Sequence, residues 1–106
     1  MVGHTGVFEA MEKACAAVDN CVEELVNAAK KHDYKILIIA DHGNADNAVN
    51  PDGSPNTAHS VNPVPCVLIG CGEQDVQEGV LADVAPTLLK MMGLDQPEEM
   101  TGKALY

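Results

Sequence analysis

The sequence predicts an α/β fold, with strands flanked by helices, and three features carry that prediction. A long early stretch repeats apolar side chains at intervals of three and four, the period of an amphipathic helix. Two short runs rich in Ile, Val and Leu follow, separated by a polar loop. A second amphipathic stretch comes after them. Helix, strand, loop, strand, helix is the pattern of an α/β domain. Two strands are too few for a sheet that helices cover on both faces, so the chain reads as a slice of a larger α/β domain.

The first helix is expected over residues 7–31. Val7, Met11, Ala14, Val18, Cys21, Leu25 and Ala28 form its apolar stripe, and Glu12, Asp19, Glu23 and Lys30 fall outside it. Thr5 is placed to cap its start, and Lys30 and Lys31 suit the negative end of the helix dipole. His32 follows them and is assigned a structural role on the same ground. Residues 35–40 (KILIIA) form a strand too uniformly apolar to be half-exposed. Residues 44–62 turn to Asn, Asp, Pro, Gly and Ser, a loop long for so small a chain, and long loops are functional or disordered. Residues 63–70 (PVPCVLIG) read as the second strand, with the prolines at its start, where a strand tolerates them. The second helix is expected over 82–92, with Pro86 in its first turn and Gly93 as its stop. The tail, 96–106, is expected to add one helical turn.

Composition narrows the function classes. The chain has 106 residues, 46% hydrophobic, with 16 acidic against 6 basic side chains and a formal net charge of -10. Such a surface repels nucleic acid. No apolar run approaches the length of a membrane span, and no secretory leader pattern opens the chain. All six basic residues are Lys. Bidentate capture of phosphate or carboxylate is the work of Arg, so an anion must be held here by metal ions, backbone N–H groups or another part of a larger protein. The four cysteines, at 15, 21, 66 and 71, form no CxxC pair. Reduced and mostly buried thiols in a cytoplasmic protein are expected from that spacing.

Chemistry concentrates in the loops. Asp41 and His42 follow the first strand at its carboxyl end, where open α/β sheets gather ligands. A carboxylate and an imidazole supply ligand atoms suited to Mn²⁺ or Zn²⁺, and Gly43 lets the backbone turn without a Cβ clash. His59, in Thr57-Ala58-His59-Ser60, precedes the second strand. His4, in Gly3-His4-Thr5-Gly6, lies beside the start of the first helix. Neither Ser54 nor Ser60 stands in a G-x-S-x-G elbow, and Gly70-Cys71-Gly72 is too little for a nucleotide-binding loop.

These loops resemble, in order, three blocks of the cofactor-independent phosphoglycerate mutases: Met1-Val2-Gly3-His4-Thr5-Gly6, Ala40-Asp41-His42-Gly43-Asn44-Ala45, and Thr57-Ala58-His59-Ser60-Val61-Asn62-Pro63-Val64-Pro65. The segments at 81–89 and 99–103 look like that family's closing segments. The resemblance implies that residues 1–106 are the C-terminal part of the metal-binding, alkaline-phosphatase-like domain of such an enzyme. It implies interconversion of 3-phosphoglycerate and 2-phosphoglycerate through a phosphoserine, in glycolysis and gluconeogenesis. Two divalent metal ions would take part, Mn²⁺ first among Zn²⁺, Co²⁺ and Mg²⁺, and no 2,3-bisphosphoglycerate. Carried over by motif, Asp41 and His42 would bind one ion, and His4 and His59 the other. The nucleophilic serine, an aspartate ligand preceding Met1 and the basic substrate clamp are not among these residues. The small phosphorylated substrate and the rest of the same enzyme are therefore the implied partners, with neither nucleic acid nor membrane, and the chain alone is expected to be inactive. A phosphopentomutase-like or phosphatase member of the superfamily shares the DHGN element, and a non-catalytic metal-binding module is the remaining alternative.

Overall fold

The computed structural model describes residues 1–106. They form two compact units, 1–28 with 40–65 and 29–39 with 66–106. No helix is long and apolar enough to cross a membrane.

In the first unit a 3-10 turn, Val2–His4, leads into helix α1, Phe8–Lys31. The cap differs from expectation. The Val7 carbonyl accepts the N–H groups of Ala10 and Met11, both at 3.1 Å, so Val7 holds the cap position. Thr5 acts two residues earlier: its hydroxyl donates to the Val2 carbonyl at 2.7 Å and accepts the Val7 N–H at 3.3 Å. At the far end Asp33 takes a left-handed φ of 58°, which short polar side chains tolerate, and Tyr34 N–H returns to the Ala29 carbonyl at 3.0 Å. The helix stops there, leaving His32 exposed in the turn.

The inner stripe of α1 is also rotated from the expected one. Met11 is buried, and Ala10, Ala14, Val22, Val26 and Ala29 are half-buried. Val18 and Leu25, expected inside, are 62% and 69% exposed. The apolar face is wider than the surface this chain offers to cover it.

The second unit holds a two-stranded antiparallel sheet, β1 (Ile36–Ile39) with β2 (Cys66–Ile69), in the register Ile36↔Ile69 to Ile39↔Cys66. Both strands are shorter than expected. Pro63 and Pro65 stay outside β2, since a proline has no N–H for the ladder. Nor is β1 fully buried: three of its residues are half-buried and Ile39 is exposed. Two helices with a small sheet agree with the expected α/β class, and two strands are too few for helices to cover on both faces.

Helix α2, Val84–Met92, follows a 3-10 turn, Leu81–Asp83. Pro86 sits in its first turn, and Gly93 ends it with a φ of 72°, a left-handed conformation that costs glycine nothing. The tail adds no helix. It has no regular structure apart from one turn, in which Met100 N–H bonds the Pro97 carbonyl at 3.1 Å, and its end meets α2 through the Leu105 N–H on the Thr87 hydroxyl. Asp83 staples it, accepting the N–H groups of Val80 at 2.9 Å and Lys103 at 2.8 Å. Those two bonds, Val80 first, hold the Asp83 carboxyl below its ordinary pKa. Its contribution to stability is therefore complete above the unfolded-state value of about 3.9 and is lost as pH falls through the lower folded value. A denaturation midpoint measured from pH 5 downward should fall more steeply in the parent than in Asp83→Asn.

Thr87 is wholly buried. Its hydroxyl donates to the Asp83 carbonyl at 2.6 Å and accepts the Leu105 N–H at 3.1 Å. Thr87→Val keeps the shape but leaves the buried Leu105 N–H without a partner, while the Asp83 carbonyl, the N-cap of α2, keeps its helix bond; a loss of about 1–3 kcal/mol is expected in chemical denaturation.

Candidate metal centre

The residues between β1 and β2 fold back on themselves rather than forming a structureless loop. Antiparallel pairing brings the end of β1 beside the start of β2, and the chain between them narrows the same way. Ser60 N–H donates to the Gly43 carbonyl at 2.8 Å, and Asn56 N–H to the Ala48 carbonyl at 2.9 Å. The Asn44 amide donates to the Ala58 carbonyl at 3.0 Å, and the Asn56 amide to the Asn47 carbonyl at 2.8 Å. At the tip Asp52 accepts both the N–H and the hydroxyl of Ser54, at 2.9 Å and 2.6 Å. Asparagine and aspartate, which read as loop composition, are here the ties that order the loop.

This folding places three of the four expected ligands as ring neighbours. The His42 and His59 rings stack, with centroids 3.6 Å apart and planes 11° from parallel. His4 is also a neighbour of His59, at 5.5 Å between centroids with the planes tilted by 41°. His59 thus sits closer to His42 than to His4, although the motif carry-over grouped it with His4. Asp41 is beside His42, its Oδ2 3.6 Å from Nε2. Asp41 is 83% exposed and His42 39%.

The donor atoms suit metal ions. His4 Nδ1 lies 2.8 Å from the Thr57 carbonyl, and His42 Nδ1 lies 3.1 Å from the Gly43 carbonyl. A carbonyl oxygen only accepts, so each ring is placed to donate from Nδ1. Metal-binding histidines are oriented through their second nitrogen in the same way. Two ligand atoms on one tetrahedral ion stand about 3.4 Å apart at bond lengths near 2.1 Å. The 3.6 Å between Asp41 Oδ2 and His42 Nε2 matches that bite. No three His, Cys, Asp or Glu side chains converge on one ion. What the geometry offers is one pair of atoms at that spacing, Asp41 Oδ2 and His42 Nε2, short of a full coordination shell.

Other chemistry is poorly provided. Both serines are engaged: Ser54 with Asp52 and Asn50, Ser60 with Asp46 at 2.7 Å. Lys13, on α1, is the only basic Lys or Arg side chain of this unit. The cysteines form no disulfide, and Cys15 and Cys21 are exposed rather than buried as expected. His32 lies in the other unit. A residue missed by motif reasoning is Asp46, whose Oδ2 accepts the Ser60 hydroxyl and, at 2.6 Å, the Asn62 amide. These bonds, Ser60 first, hold its carboxyl below the ordinary value. The available signal was a carboxylate three residues after a glycine that admits it: a Cβ on Gly43 would lie 2.6 Å from Asp46 Oδ1.

The profile of the Metalloenzyme superfamily matches residues 1–96. The chain is 61% identical over 106 residues to a 2,3-bisphosphoglycerate-independent phosphoglycerate mutase of Bacteroides thetaiotaomicron, covering 99% of this chain and 21% of that one. The enzyme of the same name from Parabacteroides distasonis is 58% identical, with the same coverage. That of Clostridium acetobutylicum is 50% identical over 109 residues, covering 100% of this chain and 21% of its own length. The chain thus spans about a fifth of the length of the curated relatives it matches.

Proposed function

Since the chain belongs to the Metalloenzyme superfamily, we propose that it supplies ligands to the two-ion site of a phosphoglycerate mutase. Its relatives are named phosphoglycerate mutases, and by the resemblance of the motifs the parent enzyme would interconvert 3-phosphoglycerate and 2-phosphoglycerate. Asp41 and His42 hold one divalent ion, with Mn²⁺ the first choice, and His4 and His59 the second. The observation that carries the reading is the Asp41–His42 pair, with Nδ1 held by the Gly43 carbonyl and Nε2 turned to the Asp41 carboxylate at 3.6 Å. Bound ions in such sites polarise phosphate oxygens and make an attacking hydroxyl more nucleophilic.

This chain's own part is to hold and orient. The Thr57 and Gly43 carbonyls orient the His4 and His42 rings through Nδ1, and the ties across the loop fix their separation. The nucleophile and the anion clamp belong to the remainder of the parent, a reading supported by the two engaged serines and by the absence of Arg. Purified chain with stoichiometric Mn²⁺ should therefore show no mutase turnover, assayed by coupling 2-phosphoglycerate formation to enolase. Sustained turnover would overturn this assignment. Sequencing the gene on both sides of these codons checks the rest: a continuous frame bearing a serine-containing metal motif is expected, and flanking stop and start signals would count against it.

A further inference from the structure

The stacked pair of histidines needs a reason to stay in register, because the segments that carry them are irregular backbone. His42 lies at the start of the loop and His59 near its end. Two hydrogen bonds already join the segments at this level, Ser60 N–H to the Gly43 carbonyl and the Asn44 amide to the Ala58 carbonyl. Both lie on the His42 side of Asp46 and leave the return segment beyond Ser60 untied. Asp46 ties that part. It sits in the 3-10 turn Ala45–Asn47, just past Gly43, and reaches across to the return strand. One oxygen, Oδ2, takes two donors from that strand, the Ser60 hydroxyl at 2.7 Å and the Asn62 amide at 2.6 Å. Donors two residues apart on one segment, itself turned by the Asn62 N–H on the Ser60 hydroxyl at 3.3 Å, fix both its position and its twist.

We infer that Asp46 is the positioning residue of this centre: its carboxylate locks the 59–62 segment onto the Asp41–His42 turn and so sets His59 against His42. Charge strengthens both bonds, since a carboxylate acceptor makes hydrogen bonds about twice as strong as a neutral one, and the lowered pKa of Asp46 agrees. The geometry also explains Gly43. Any side chain there would meet the Ser60 hydroxyl and the Asp46 carboxylate, and the reach across the loop would fail. Asp52 makes a similar tie to Ser54 at the loop tip, within two residues of itself, and joins no histidine-bearing segment to another. It is the internal control. The effect on metal rests on the two-ion reading; the effect on the rings does not.

The test is imidazole NMR on the metal-free chain, in which the ring current of a face-to-face neighbour moves the His42 and His59 ring protons upfield of those of His32. Asp46→Ala should return both sets towards the His32 positions while helix content by circular dichroism is kept. Asp46→Asn keeps one oxygen able to accept both donors, so it should retain the upfield shifts, and Asp52→Ala should retain them as well. Unmoved rings in Asp46→Ala would overturn the inference, as would equal loss in Asp52→Ala. Should Asp46→Ala fail to fold, Asn62→Ala decides: a partial return of the His59 shifts supports the role and no change refutes it. Titration with Mn²⁺ should then show binding weakened by about tenfold in Asp46→Ala and near parental in Asp46→Asn. A parent chain that binds no Mn²⁺ but behaves as described by NMR would remove the metal reading and keep the inference.

Discussion

Replacing His42 with alanine should lower the Mn²⁺ affinity of the chain by about 100-fold or more, read from the free-ion signal in electron paramagnetic resonance. Loss of a partner behind a ligand costs about 10–100-fold, and loss of the ligand itself lies at or above the upper end. The effect is large because the pair has little to fall back on. With Asp41 Oδ2 and His42 Nε2 as the two donors facing each other at 3.6 Å, removing one leaves a lone exposed carboxylate. His59→Ala should weaken the other ion in the same assay, and should also free the His42 ring from its stacking partner. His32→Ala, exposed in the turn after α1, should change nothing. Parental binding in His42→Ala would remove the Asp41–His42 pair from the centre altogether.

The outline of the fold was legible where local chemistry decides it. Apolar spacing located α1 to within one residue at its start and matched its end, and Pro86 and Gly93 bracketed α2. Longer-range consequences were not. Which face of α1 turns inward depends on what lies against it, and Val18 and Leu25 meet every local criterion for burial while remaining exposed. The tail shows the same limit from the other side. Nothing in residues 96–106 signals that an irregular path is preferred to a helical turn. The preference comes from Asp83 and Thr87, which take the Lys103 and Leu105 N–H groups that a helix would have kept for itself.

The centre was legible as far as motifs reach. His4, Asp41, His42 and His59 were singled out because short blocks carry them, and His59 has both other rings as neighbours. That His59 stacks on His42 rather than on His4 was hidden, since it depends on how the loop 44–62 closes. That closure rests on side-chain to backbone bonds by Asn44, Asn56 and Asp46, whose residue types announce only a turn. An aspartate bonding a residue fourteen positions away carries no local signature. Irregular loops owe their shape to such pairs, so a functional loop can be named from sequence well before its geometry can be.

Two glycine substitutions separate stability from site geometry, and Gly102→Ala should be the more damaging to the fold. A Cβ on Gly102 would run into the Ala82 backbone, meeting the carbonyl oxygen and, at 2.7 Å, the carbonyl carbon. Those atoms belong to the 3-10 turn that Asp83 closes, so relief requires moving the tail off α2. Overpacking of this kind costs about 3 kcal/mol, and the Thr87–Leu105 and Asp83–Lys103 bonds should loosen with it. Gly43→Ala meets only side-chain ends, the Ser60 hydroxyl and the Asp46 carboxylate, which can rotate away. Its global cost should stay below about 1 kcal/mol, but rotation of Asp46 gives up the Ser60 and Asn62 bonds, and the stacked rings should separate. Denaturation and imidazole NMR on the two variants should therefore give opposite patterns: a lowered midpoint with intact stacking for Gly102→Ala, and a preserved midpoint with lost stacking for Gly43→Ala. The reverse pattern would mean that the loop, rather than the tail against α2, holds the chain together, and the tail's hydrogen bonds would then have to be reassigned to a minor role.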